Sequence, residues 1–552
     1  MDQRETRRTG VLVVGGGIAG CLAALEAART GARTAMVLKG GPGRGARSST
    51  AVAGGGFAAA LGHTDPGDSP QEHFRDTLRG GAFLNDQRLV RVMAEEAPGR
   101  IQYLEALGIE FERDAREYRQ RQAPGHSHAR SVMVAGGRMG ELGRVLADRV
   151  KENGVEVHRA LTLADLLVAD GRAVGAACLT EDGQRVDLYA EAVVLATGGL
   201  GQLYPVTSNP VYMTGDGYAC GYRAGARLRD MEFVQFTPAG LVHPESLHGL
   251  SINHELLAHP GVRVLDGRRE LVSVPGKGMA HDLAFRLELI RLFHREIQSG
   301  RATPHGGLYL DLREVTAEEV SRLSPALWDA LVAQGIDPSR EILEVAPEVH
   351  FFMGGLQVNE IGETSLPGLF AVGEAAGGCH GANRLTHNAF PEVIVFAPRA
   401  GKAAGECSLH MAGRKSPEPA PLAEWGWPAA PDLRRELQAM MLAAAGPMRS
   451  AEGLASGIAK LQELRSAASG KPTGDPEDLL AALATRNLFR VAELVLQSAL
   501  CREESRGSHF REDHPARNDA RWLVNLVVER GPEGPRIREK PTDLSYLTPE
   551  AA

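Results

Sequence analysis

Cysteine is scarce in this chain. Six of its 552 residues are cysteine, Cys21, Cys178, Cys220, Cys379, Cys407 and Cys501, and no two stand at C-x-x-C spacing. That density argues against a disulfide framework and for a reduced compartment. The missing C-x-x-C argues against an iron–sulfur cluster or a structural zinc held by these cysteines. Most of the six are expected to be small buried apolar residues. A run of about 18 apolar residues is also absent, which excludes a membrane-spanning helix. There is no basic excess either: 61 Lys and Arg against 69 Asp and Glu leave a net charge of −8, which counts against nucleic acid as the main partner. Arg4, Arg7 and Arg8 precede a short apolar run, but it breaks at Gly15-Gly16-Gly17 with no cleavage site behind it. A strand is expected there rather than a targeting segment, and a cytoplasmic location for the protein.

Glycine, by contrast, is plentiful, at 65 residues. It is clustered, as where backbone must approach something closely. Val11-Leu12-Val13-Val14 is a continuous apolar run, the signature of a strand buried on both faces. An Ala/Leu-rich helix over 19–28 follows, ended by Gly31, and then a second strand over Thr34 to Leu38. Helices are predicted at 86–107 and 139–153, and strands at 155–168, 172–180 and 185–189. Ala192 to Leu195 and Leu369 to Val372 are further buried strands, each running into a glycine turn. The stretch 235–348 reads as mixed helix and loop, an insertion into a sheet domain. Ser416 to Pro431 reads as a linker, and 432–510 as mostly helical. The expected class is α/β, with units at 1–234, 235–348, 349–415 and 432–552.

Gly15-x-Gly17-x-x-Gly20 follows the first strand and opens the first helix. In that context the three glycines serve a tight turn, close approach of a pyrophosphate and close helix–strand packing, with Gly16, Ile18 and Ala19 between them. The helix N-terminus supplies free N–H groups for phosphate. An NAD site would place an acid about 20 residues on, at the end of the second strand; Leu38-Lys39-Gly40 stands there instead. The glycine turns Ala196-Thr197-Gly198-Gly199 and Ala371-Val372-Gly373-Glu374 suggest a longer cofactor, with the Glu374 carboxylate open to ribityl hydroxyls.

These segments resemble the flavoprotein subunits of the succinate dehydrogenase and fumarate reductase family, which includes L-aspartate oxidase. The resemblance also rests on Ser48 to Gly56, Thr214 to Gly217, Met231 to Pro238, His350 to Gly355, His380 to Leu385 and Glu504 to Asp513. It implies a Rossmann-like FAD-binding domain, an inserted α+β capping domain and a helical C-terminal domain. It implies FAD contacts at Lys39, Ser48, Ser49, Thr50, Gly55, Gly56, Asp216, Glu374, Asn388, Ala389 and Phe390 beside the fingerprint. His350 matches a substrate-binding histidine. Arg384 matches an arginine that clamps a substrate carboxylate, a task suited to its planar fork.

Four departures qualify the resemblance. Ser49 stands where respiratory relatives have the histidine that bonds FAD covalently, so non-covalent FAD is expected. Thr237 replaces a family histidine. The Arg-Gly-Glu-Gly segment from which the family is expected to deliver a proton has no counterpart; the aligned stretch runs from Ser251 to His259, and His254, Glu255, His259 or Arg263 are the candidates to substitute. Ala123 stands where aspartate oxidase has a glutamate for the amino group, which disfavours aspartate. The expectation is an FAD-dependent oxidoreductase moving a hydride between flavin N5 and a small carboxylate-bearing substrate, with fumarate reduction slow for want of the arginine. Two alternatives stay open: a genuine fumarate reductase or succinate dehydrogenase with a rearranged proton donor, and an electron-transfer flavin subunit without substrate chemistry. An iron–sulfur or other electron-transfer subunit is compatible with either, and would be the route by which the chain lies at a membrane.

Overall fold

The computed structural model describes residues 5–40, 48–54, 56–137, 139–274, 282–411, 419, 431–468 and 476–549. Gly55 and most of the expected linker lie outside them. The first unit is strand β1 (Glu5–Val14), helix α1 (Ile18–Arg29) and strand β2 (Thr34–Leu38). Alternate residues of β1 enter different cores: Leu12 and Val14 pack on one face of the sheet, Val11 and Val13 on the other. That two-sided burial is what the unbroken apolar run encodes.

The predicted strand 155–168 is two strands, β3 (Glu156–Arg159) and β4 (Leu161–Ala169), broken at Ala160, whose φ is 58°. A two-residue turn, Asp170-Gly171, both at positive φ, leads into β5 (Arg172–Thr180) and then β6 (Arg185–Leu195). Asp-Gly suits such a turn because neither residue resists that backbone region strongly. The sheet order is β3-β2-β1-β6-β5-β4. β1 is parallel to β2 and β6, while β4, β5 and β6 form an antiparallel meander. Helix α2 (Asp216–Ala224) packs against β4.

The stretch read as mixed helix and loop contains an antiparallel sheet of its own. It is built from β7 (Val234–His243), β8 (Arg263–Leu265), β9 (Leu308–Asp311) and β10 (Leu343–Phe352), with α3 (Leu283–Glu296) packed on it around Leu241, Phe285, Phe293 and Leu310. The strands were illegible because β7 carries Pro238 and Gly240 and its register on β10 shifts three times, which breaks the alternation. Strand β11 (Leu369–Ala371) then pairs with Val193–Leu195 of β6 and rejoins the first sheet.

Helix α4 (Ala389–Met411) follows, then α5 (Pro431–Ala445), α6 (Ala451–Ala467) and α7 (Pro476–Cys501), whose apolar faces share a core with the first sheet. The last segment is a β-hairpin, β12 (Val524–Arg530) and β13 (Pro535–Pro541), which the sequence pattern did not disclose. It joins Leu228–Arg229 in a second five-stranded sheet and so ties the chain's end to the first unit. No helix among the described residues is long and apolar enough to cross a membrane. All six cysteines are free, four of them buried.

Candidate active site

The fingerprint loop is built for close approach. Gly15 has φ +117°, and a Cβ there would lie 2.1 Å from the Ala196 carbonyl oxygen; a Cβ on Gly20 would lie 1.9 Å from that of Gly15. At Gly17 a Cβ would meet only Thr50 Oγ1, at 3.3 Å. Gly15 and Gly20 therefore serve packing, and Gly17 keeps a space clear. Helix α1 begins there with no side-chain cap, and the Ile18 N–H donates to Thr50 Oγ1 at 3.2 Å. Ser48 is the residue before the short helix Ser49–Val52, so 48–50 stand at the N-terminus of α1. Ser49 Oγ and Thr197 Oγ1 are buried with no hydrogen-bond partner among the described residues.

Glu374 follows β11 in a single turn of tight helix and is only partly buried. One carboxylate oxygen accepts the Phe352 N–H at 3.0 Å, and a Cβ on Gly199 would fall within 2.3 Å of the same oxygen. Burial raises its pKa to about 7. Lys39 donates from Nζ to Asp216 Oδ2 and Thr214 Oγ1, both at 2.8 Å. Lys39 thus takes up an acid that lies 177 residues away in the chain, not one on its own strand. The Asn388 side chain is used inside the protein: its Oδ1 lies 2.8 Å from His73 Nε2, and its Nδ2 donates to Thr77 Oγ1 at 2.9 Å. Helix α4 starts at Ala389, and Phe390 stacks on Phe57 at 4.7 Å. Gly56 lies against the His387 ring, where a Cβ would be 2.3 Å away.

Two arginines, Arg384 and Arg286, act electrostatically on His350. Arg384 is buried, lies 4.6 Å over the Phe351 ring and donates one N–H to the Leu385 carbonyl at 3.1 Å. Arg286, on α3 of the inserted sheet unit, donates to Thr386 Oγ1 at 3.0 Å. Neither makes an ion pair with a described residue, and the Nε of each has no hydrogen-bond partner there. Burial lowers the pKa of Arg384 to about 10, with Arg286 adding to the effect. Burial also lowers that of Arg286, against which the Glu255 charge acts. His350 sits at a β-bulge, between the pairs Phe236↔Val349 and Gln235↔Phe351, a device that re-aims a side chain. Its Nδ1 lies 3.0 Å from Ser208 Oγ. Burial, then Arg384 and Arg286, push its pKa to about 3, so the ring is neutral. Thr237 donates to Glu348 Oε1 at 2.6 Å.

Of the candidate proton donors, His254 pairs with Glu255 at 3.1 Å, and both act on His387, which ties them to this cleft. Arg263 is half exposed and pairs with Glu314, and His259 faces Glu319; neither is placed with the arginines. Ala123 is buried. The segment after it is pinned by Ser127, which donates to Asp76 at 2.7 Å.

Comparison with known proteins identifies the family. Residues 10–389 match the family model described as an FAD binding domain, and 434–552 match the fumarate reductase flavoprotein C-terminal model. The chain belongs to the fumarate reductase, succinate dehydrogenase and L-aspartate oxidase flavoprotein family. It is 35 % identical to a subunit of the fumarate reductase (CoM/CoB) of Methanothermobacter marburgensis over 96 % of this chain and 98 % of that protein. It is 36 % identical to an L-aspartate oxidase of Streptomyces coelicolor over 95 % of this chain and 92 % of that one. Among solved structures, Mycobacterium smegmatis Sdh1 in complex with UQ1 superposes with a TM-score of 0.86 at 32 % identity, covering 98 % of this chain and 95 % of that chain. This family member is therefore an FAD-dependent oxidoreductase, and its fingerprint, unpartnered hydroxyls and clear space at Gly17 fit FAD. Sequence reasoning missed Arg286 and Glu348. Arg286 stands in an ordinary amphipathic helix, and the one available signal for Glu348 was its place two residues before His350.

Proposed function

We propose that this protein transfers a hydride between FAD and a small dicarboxylate of the fumarate–succinate kind. One observation carries the reading: two guanidinium groups, Arg384 and Arg286, both act on His350, each has a buried Nε without a hydrogen-bond partner, and neither is ion-paired to a described residue. Glu255, Glu374 and Glu392 offset these charges only from a distance, and a cation without a directly paired counter-ion is costly, so the missing partner is assigned to substrate. Arg384 approaches from the FAD-binding part of the chain and Arg286 from the inserted unit, one for each carboxylate. The expectation of slow fumarate reduction rests on the missing proton-delivering arginine; in this reading Arg286 binds a carboxylate, so the proton has to come from another group. FAD, when bound, supplies the two-electron hydride chemistry at N5. Arg384 and Arg286 orient the acid, neutral His350 offers it one N–H, and residues 235–348 close over the parts 1–234 and 349–415 to exclude water, with 432–552 behind. Ala123 leaves no acid to receive an ammonium, so aspartate is a poor substrate in this reading. Electrons are exchanged with a separate electron-transfer subunit, in keeping with relatives named as subunits.

The test is spectral. Holo-protein titrated with fumarate, succinate and aspartate should show a flavin absorbance change with the first two and little with aspartate. If no dicarboxylate perturbs the flavin, the substrate reading fails and a purely electron-carrying role takes its place.

A further inference from the structure

Behind His350 lies a buried acid to which the family comparison gives no role. Glu348 is fully buried on β10, two residues from His350. It sits opposite Thr237 of β7, whose hydroxyl donates to Oε1. A Cβ on Gly240 would lie 3.1 Å from Oε2, so the bulge in β7 makes room for the carboxyl group. Oε2 makes no well-formed hydrogen bond with a described residue, but the Ser208 and Ser251 hydroxyls stand beside the carboxyl group, and either can turn its proton onto it or accept one from it. Ser208 is also the hydroxyl 3.0 Å from His350 Nδ1. Acid, hydroxyl and imidazole therefore form a continuous line from the strand interior to the cleft.

We infer that Glu348, through Ser208, is the proton reservoir for His350, and that this line replaces the family's proton delivery. The inference rests on the dicarboxylate reading for its direction. In reduction, one carbon of an activated C=C bond receives a hydride and its neighbour takes the proton from His350 Nε2. His350 Nδ1 takes the Ser208 hydroxyl proton, and Ser208 takes the proton of Glu348. The π bond is consumed, one hydride and one proton are added, and Glu348 is left as a carboxylate. The reverse sequence accompanies oxidation. Because the imidazole gains a proton at Nδ1 as it loses one at Nε2, no imidazolium forms beside the two arginines. Glu348 and Ser208 are positioning residues, acting through His350.

The surroundings suit the role. Thr237 from β7, Ser251 from the following segment and Ser208 face Glu348 with hydroxyls; the charged and titratable groups nearby are His350 on its own strand and, past it, Arg384 and Arg286. Burial raises the pKa of Glu348 to about 7, so the acid is protonated below that pH and spent above it.

The experiment uses the FAD-loaded protein, with infrared difference spectra across pH 5–9 and anaerobic reoxidation of the reduced flavin by fumarate. The wild type should show a protonated carboxyl C=O band that disappears as pH rises through about 7, and a reoxidation rate that falls over the same interval. Glu348→Gln should lose the band and the pH dependence and slow reoxidation by about 10²- to 10⁴-fold, with fumarate binding retained. Glu348→Asp should restore part of the rate, and Ser208→Ala should keep the band yet slow reoxidation. An unchanged pH profile in Glu348→Gln, or no titrating band in the wild type, overturns the inference. Should Glu348→Gln fail to load FAD, Ser208→Ala decides: an unchanged rate also overturns it. Fumarate binding is scored separately, so a wild type that shows the band but ignores fumarate contradicts the dicarboxylate reading, while the band still supports the buried acid.

Discussion

Arg384 and Arg286 are the residues on which the chemistry turns, because each has a buried guanidinium nitrogen left unmatched. Removing a charge-assisted contact to a ligand costs about 1.5–3 kcal/mol, a ~10- to 150-fold loss of affinity. Arg384→Ala should therefore weaken fumarate binding by that factor while FAD content stays near wild type, as read from the flavin spectrum during titration. Arg286→Ala should do the same, since it meets the ligand from the opposite side; unchanged affinity in either variant would show a structural arginine. Ser49 makes a second prediction at this scale. A serine cannot form the histidyl–flavin bond, so acid precipitation should leave yellow FAD in the supernatant and a colourless pellet. Flavin carried down with the protein would contradict it. Arg384 and His350 were legible in the sequence because each stands within a motif. Arg286 was not, because its helix holds an ordinary surface pattern of leucines and charges, and only the packing of α3 turns it inward.

At the scale of elements, β1, α1 and β2 were legible to within a few residues, since apolar continuity and glycine placement fix a βαβ unit locally. The inserted sheet was not, because bulges at Thr237–Gly240 and at His350 break the alternation that marks a strand, and those bulges are what aim Thr237 and His350. The C-terminal hairpin was missed for another reason: β13 is mostly exposed and charged, and the hairpin's partner strand lies far earlier in the chain, at Leu228–Arg229. The fingerprint turn offers a paired test. Gly15→Ala drives a Cβ toward the Ala196 carbonyl and should destabilise the fold by about 1–3 kcal/mol as well as abolish FAD binding. Gly17→Ala meets only Thr50 Oγ1, so it should keep the melting temperature of the FAD-free protein and lose FAD affinity. Equal stability loss in both would refute the division between a packing glycine and a phosphate-facing one.

On the scale of the whole molecule, the end of the chain is held by buried charge. Arg502 donates from Nε to Glu232 at 2.8 Å and from a terminal nitrogen to Glu504 at 3.0 Å, all three fully buried. Glu232 precedes β7, so this pair ties α7 to the root of the inserted unit. Arg502→Ala would strand the buried Glu232, while Glu504 keeps its pair with Arg506; losing one partner of a buried pair costs about 3–5 kcal/mol, and the variant should lower the melting temperature markedly without altering the flavin spectrum of folded protein. The same architecture brings one arginine from the FAD-binding part and one from the inserted unit, and the central claim is that together they hold a small dicarboxylate for hydride transfer. The most direct measurement is anaerobic mixing of chemically reduced, FAD-loaded protein with fumarate, followed at the flavin absorbance maximum. The account predicts saturable reoxidation at about 1–10³ per second that is at least ~10-fold weaker in apparent affinity in both Arg384→Ala and Arg286→Ala. No reoxidation by fumarate, or reoxidation indifferent to both arginines, would contradict it.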